Sequence, residues 1–171
     1  MLDLVKLALE RPEPIGHQVE NHVLAEDHPW EKLGTATWAQ LQSLVDPYDQ
    51  NFWRDAESTY HGISDKLQEA TARTVGSSLK LILVQKITLE VRLESGYQGR
   101  PGRRRLRGRF EYHGRQYLLS VTEPEVEEAY IPRGDGIHEL ENALLCISLT
   151  EPEYGYAYRV IASVITASRF R

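Results

Sequence analysis

The sequence predicts a mostly β chain with short helices, its C-terminal half a five-stranded, partly open barrel and its N-terminal half a smaller, helix-decorated β unit. Three observations predict it. Apolar and polar residues alternate through Ile87-Thr-Leu-Glu-Val-Arg-Leu93, as a half-buried strand requires. Two strand-like runs, Arg103–Tyr112 and Arg115–Val121, flank His113-Gly114, the pattern of a tight hairpin in which glycine supplies a positive φ. One irregular stretch, residues 122–142, then separates these strands from two more, Ala143–Leu149 and Tyr156–Thr166.

Taken in chain order, Leu2 to Leu9 reads as a short strand with Leu2, Leu4, Leu7 and Leu9 turned inward, stopped by Pro12 and Pro14, which cannot donate to a ladder. Residues 15–36 show no clean period and read as an ordered loop with short extended pieces. Thr37 is placed to cap a helix over Trp38–Leu44, and Ser64 a second over Asp65–Arg73. Asp46–Gly62 is mostly loop, with Phe52 and Trp53 as its anchors. Leu79–Val84 and Ile87–Leu93 read as strands, or as one long bent strand of the kind barrels need. Gly96, Gly99, Pro101 and Gly102 mark a loop before the hairpin. Five strand units with one helix-or-loop insertion between the third and fourth follow the OB plan, although strand order alone equally admits an SH3-like barrel or a meander. The expected organisation is a partial OB-like, helical unit over residues 1–76 and an OB-like barrel over 77–171.

Composition narrows the class. The 171 residues are 41 % hydrophobic and 26 % charged, as a folded soluble protein requires. No apolar run approaches the roughly 20 residues of a membrane-spanning helix, and the first residues lack the layout of an export signal. A cytoplasmic protein without membrane contact is expected. The single cysteine, Cys146, lies in an apolar run and reads as a buried thiol in a reducing compartment.

Several strings, in common order along nearly the whole chain, resemble the dual-OB domain family of prokaryotes. They are Leu2-Asp-Leu-Val5 with Arg11-Pro12, Gly16-His-Gln-x-Glu-Asn21, Trp30-Glu-Lys-x-Gly34, and Leu44-Val-Asp46 near Trp53. They continue with Ser77-Ser-Leu-x-Leu-Ile82, Arg107-x-Arg-Phe-x-Tyr-x-Gly114, Tyr117-x-Leu-x-Val-Thr-x-Pro124, Leu145-Cys-Ile-Ser-Leu-x-Glu-Pro152 and Gly155-Tyr-x-Tyr-x-x-x-Ala162. The resemblance implies tandem OB folds and nucleic-acid binding within prokaryotic conflict or defence systems, and it carries over no catalytic residue. Family members usually have further strands before the segment matching Leu2-Asp-Leu-Val5. The implied first barrel is therefore incomplete, replaced by helices, or completed by a strand from a neighbouring subunit.

The net charge of −5 argues against coating nucleic acid over the whole surface, but charge is unevenly distributed. Seven arginines (100, 103, 104, 105, 107, 109 and 115) stand against Glu111 alone between residues 100 and 115, whereas 123–153 is dominated by acids. Arg103, Arg105, Arg107 and Arg109 alternate, so they share one strand face at a spacing of about 7 Å, comparable with the phosphates of an extended strand. With Arg100 they are the expected phosphate contacts, and Tyr112 and Tyr117 the expected stacking partners for bases. Two other readings compete: the arginines pair with the acids of 123–153, or they dock on an acidic protein surface. An assembly module that docks an effector through an open sheet edge is the alternative function.

His17, Glu20 and His22 have no helical or strand spacing that suits a metal, and no cysteine lies nearby, so neither a metal nor any cofactor is expected. His17, Glu20 and Asn21 read as loop hydrogen-bonders, with a hydrolase built on His17 and Glu20 as the weakest reading. Nucleophile elbows, Walker A and dinucleotide-binding glycine patterns are missing, and the chain is read as non-catalytic.

Overall fold

The computed structural model describes residues 2–47, 53, 57–96 and 101–170. Four short strands open the chain: β1 (Asp3–Lys6), β2 (Leu9–Pro12), β3 (His22–Leu24) and β4 (Glu31–Thr35). They form two separate two-stranded antiparallel sheets, β1 with β4 and β2 with β3. The expected single strand over residues 2–9 is thus two strands. Its leucines do not turn inward either: Leu4, Leu7 and Leu9 are 39, 38 and 51 % exposed. A two-stranded sheet buries a face only when a second layer covers it, and among the described residues these sheets have none.

Helix α1 (Trp38–Gln42) follows, held by the expected Thr37 cap. The Gln40 amide donates to the Thr37 hydroxyl, and the Thr37 amide donates back to the Gln40 side chain, a reciprocal capping box. The second expected helix is mostly absent. Lys66–Gln68 form strand β5, and only Glu69–Ala72 are helical, as α2. Tertiary pairing overrides local propensity here, because residues 66–68 pair with residues 156–158 of the barrel.

The barrel itself uses β6 (Leu79–Glu94), β7 (Arg103–Tyr112), β8 (Arg115–Val121), helix α3 (Pro124–Tyr130), a 3-10 turn at Ile131–Arg133, β9 (Gly136–Leu149) and β10 (Tyr156–Thr166). β6, β7 and β8 form an antiparallel meander, β8 runs parallel to β10, β10 pairs antiparallel with β9, and β9 returns to β6. The sheet closes in the OB order, with the helix between the third and fourth barrel strands. The long bent strand is one element: residues 79–91 pair with β9 and 87–94 with β7. Inward positions change from Ile82 and Val84 to Ile87, Leu89 and Val91 across the bend, and Asn142 on the paired strand takes φ +49° opposite it. β9 begins at Gly136, seven residues before the strand expected from Ala143, because its polar first half pairs with the outer end of β6.

His113 and Gly114 both take positive φ, +48° and +75°, the primed turn that matches strand twist. Leu106, Phe110, Leu119, Leu145, Ile147 and Ile161 fill the interior with Trp53 and Leu67 from the N-terminal half. Contacts therefore cross residue 76. Trp53 is the expected anchor; Phe52 lies outside the described residues. Cys146 is only half-buried, with burial raising its thiol pKa. Among the described residues, no helix is long and apolar enough to cross a membrane.

Candidate nucleic-acid interface

Strand β7 has a two-residue period of burial. Leu106, Gly108 and Phe110 point into the barrel, and Arg103, Arg105, Arg107 and Arg109 point out. Gly108 leaves room in that interior: a Cβ there would lie 2.4 Å from Ile161 Cδ1 and 2.8 Å from Ile87 Cδ1, so the ends of both isoleucines would have to shift. The register sets Arg107 opposite Glu90, Arg105 opposite Arg92 and Arg103 opposite Glu94 on β6, so the outer side chains of both strands form one charged field.

Within that field the arginines divide. Arg107 grips Glu94 through two guanidinium nitrogens, one of them at 3.0 Å, and both side chains are 14 % exposed. Arg109 donates to Glu90 at 2.6 Å, and Arg92 meets the other Glu90 oxygen at 2.9 Å. Arg103 is exposed and Arg105 half-buried, and among the described residues neither forms an ion pair or a side-chain hydrogen bond. Burial lowers the Arg105 pKa, and the charge of Arg103 beside it lowers it further, against opposing help from Glu94. Five outward arginines (92, 103, 105, 107 and 109) face three outward glutamates (90, 94 and 111), leaving a cationic excess on a chain of net charge −5.

Pairing with the acids of 123–153 occurs at Arg104, which donates to Asp135 at 2.8 Å. The partners of Arg107 and Arg109 come from β6 instead. Arg100 lies outside the described residues. Tyr117 is corrected: it is 3 % exposed, inside the barrel and stacked on Phe110 with centroids 5.1 Å apart, so its ring cannot receive a base. Tyr112 is half-buried against the core, its ring meeting His113 edge-on at 4.4 Å.

A segment from the N-terminal half crosses this part of the barrel. Ile63 bridges Leu118 of β8 through amide bonds in both directions, 3.2 and 3.1 Å, and Leu118 is thereby covered. The Asp65 carboxylate accepts from the Thr59 amide at 2.7 Å and hydroxyl at 2.5 Å, closing the loop between them. Arg159 of β10, buried, donates to the carbonyls of Ser64, at 2.6 Å, and Trp53. Burial brings its pKa down to about 10. The fixed loop displays Tyr60, 93 % exposed, at the edge of a cleft of about 270 Å³ with Glu90, Arg92, Glu94 and Arg107 on its other side. Sequence reasoning missed Tyr60, since nothing periodic marks it. It also missed Glu90, Arg92 and Glu94, although their alternation along β6 was readable.

His17 is buried and Glu20 is turned to the barrel, accepting from the Ser78 amide at 3.3 Å and from the Ser78 hydroxyl. Burial would raise the Glu20 pKa, but the Ser78 hydrogen bonds lower it overall. Asn21 donates to Gln18 at 3.2 Å, a bond within the loop. His22 is exposed, its Nδ1 2.7 Å from the Glu20 carbonyl. Glu20 thus ties the N-terminal loop to the start of β6, as Asp46 does by accepting from the Leu81 amide at 2.6 Å.

A family model described as the dual OB-containing domain matches residues 1–164. No curated protein matches the chain. No solved structure matches it.

Proposed function

Because the chain belongs to the dual OB-containing domain family, we propose that its barrel binds a nucleic-acid strand across the outer face of β6 and β7, as a non-catalytic accessory subunit of a prokaryotic defence or DNA/RNA-processing system. The defence setting is taken from the family resemblance alone. The observation that carries the binding reading is the charge left after internal pairing: Arg103 and Arg105 stand on the outer face and, among the described residues, form no ion pair or side-chain hydrogen bond, although Glu94 and Glu127 lie near enough to act on Arg105. Phosphate contacts come from Arg103 and Arg105, with Arg92 and Arg109 as cations shared with Glu90. Arg107, closed onto Glu94, positions the field and contributes little direct contact. In OB folds the oligonucleotide face belongs to the second and third barrel strands, here β7 and β8; the proposed track shares β7 with that face and extends onto β6.

The test is fluorescence anisotropy with a labelled 12-nucleotide strand over a salt series. Each phosphate neutralised on a single strand contributes about −0.7 to the slope of log K against log salt. Arg103→Glu with Arg105→Glu is expected to weaken binding at least tenfold and flatten the slope by about 1.4. An unchanged slope contradicts the proposal.

A specific observation favours a second role alongside this one, an assembly module. Leu9, Ile15, Trp30 and Leu33 are 51, 55, 65 and 61 % exposed in the N-terminal half, beside short strands with open edges. Exposed apolar surface of this kind marks interaction sites. Sedimentation of the full chain is expected to show self-association that Trp30→Lys with Leu33→Lys abolishes; a monomer at high concentration argues against it.

A further inference from the structure

Resting on that reading, we propose that the cleft beside Tyr60 is a base-reading subsite, which takes one amino-bearing base from the bound strand, stacks it on Tyr60 and receives its amino group on Glu94. The cleft holds about 270 Å³, a little below the roughly 300–1,000 Å³ of sites for drug-sized ligands, a size that suits a base without its sugar. One wall is the crossing loop, with Tyr60, His61 and Ile63; the other is the paired field of Glu90, Arg92, Glu94 and Arg107.

Two features make this a built site. Tyr60 is a large aromatic ring held out in solvent by a loop that is itself fixed at Asp65 and at the Ile63–Leu118 bridge. Its packing against His61, centroids 4.8 Å apart at 83°, is edge-on and does not cover the ring as a stacked pair would. Glu94, opposite, is an ionised acceptor. Burial works to raise its pKa, but the Arg107 hydrogen bond and charge, with His61 and Arg105, hold it below the ordinary value. A carboxylate has about four lone-pair sites and no donor. Arg107 occupies two of those sites, one on each oxygen, and Glu94 lines the cleft.

That chemistry selects the base. Cytosine, adenine and guanine bring an exocyclic amino group, a donor that a carboxylate accepts; thymine and uracil present carbonyl oxygens on either side of one N–H. The carboxylate repels those carbonyls. A well-formed pair of this type discriminates by roughly five- to 150-fold.

The experiment uses the full chain and labelled dC, dA and dT 12-mers in anisotropy titrations, with Tyr60→Ala, Tyr60→Trp and Glu94→Gln. Wild type is expected to hold dC and dA at least fivefold tighter than dT. Tyr60→Ala is expected to lose roughly five- to 100-fold on dC and dA, and Tyr60→Trp to retain them. Glu94→Gln also releases Arg107 and can strengthen all strands alike, so its readout is the dC to dT ratio, expected to fall to one. Equal wild-type affinity for the three strands, or Tyr60→Ala binding dC as wild type does, overturns the subsite. If strands bind with the expected salt slope but ignore Tyr60, only the subsite falls. If wild type binds no strand, the reading beneath it falls too.

Discussion

Arg105 and Arg107 are two residues apart on one strand face and occupy opposite situations. Arg107 is closed on Glu94 with both side chains at 14 % exposure, whereas Arg105 carries its charge beside Arg103 and makes no direct bond to Glu94, only a longer-range attraction to it and to Glu127. A partly buried ion pair contributes through geometry as much as through charge, and removing one partner leaves the other desolvated. Glu94→Gln is therefore expected to cost about 1–2 kcal/mol in chemical unfolding at pH 7. The pH dependence has a definite sign. Glu94 titrates below its ordinary value of 4.5 in the folded chain, so its contribution is complete above that value and is lost as pH falls through the lower folded one. The gap between wild type and Glu94→Gln is expected to narrow below pH 4.5; a gap constant down to pH 3 would contradict the pairing. That the arginines share a face was legible from their alternation. That half of them are answered by Glu90 and Glu94 was not, since those glutamates belong to a strand whose register with β7 no local pattern specifies.

At the scale of elements, the barrel strands and the hairpin at His113-Gly114 were legible because each carries its own period or turn chemistry. Two elements were not. Residues 65–73 have helical character, yet Lys66–Gln68 extend the barrel sheet beside β10. Residues 136–142 are mostly polar and only half-buried on one face, through Gly136, His138 and Leu140, a weak signal that they continue β9. Tyr117 was misjudged although its parity was legible: it alternates with Leu119 and Val121, both buried, and only Leu118, covered by Ile63, blurs the pattern. The crossing segment depends on Arg159, whose guanidinium supplies the carbonyls of Ser64 and Trp53. Buried carbonyls left without donors cost about 1–3 kcal/mol each. Arg159→Met is expected to destabilise the chain by about 2–4 kcal/mol and to speed amide exchange in residues 57–68 more than in β6. Equal protection across both regions would contradict the latch.

Viewed whole, the molecule joins a well-packed OB barrel to an N-terminal half that sends Trp53, Leu67 and Ala72 into the barrel core while leaving Leu9, Ile15, Trp30 and Leu33 on the surface. The two are fastened at the start of β6 by Glu20 and Asp46, and at β10 by Arg159. The net negative charge, far from excluding a polyanion, confines where one can bind. On the proposed reading, a single strand would be disfavoured by the overall negative charge and drawn to the β6–β7 face, where arginines outnumber glutamates among the described residues. The most direct measurement of that claim follows the arginine Nε–H signals by NMR as a 12-nucleotide strand is added. Arg103 and Arg105 are predicted to shift and broaden, and buried Arg159 to stay where it is. Unmoved Arg103 and Arg105 signals at saturating strand would contradict the account.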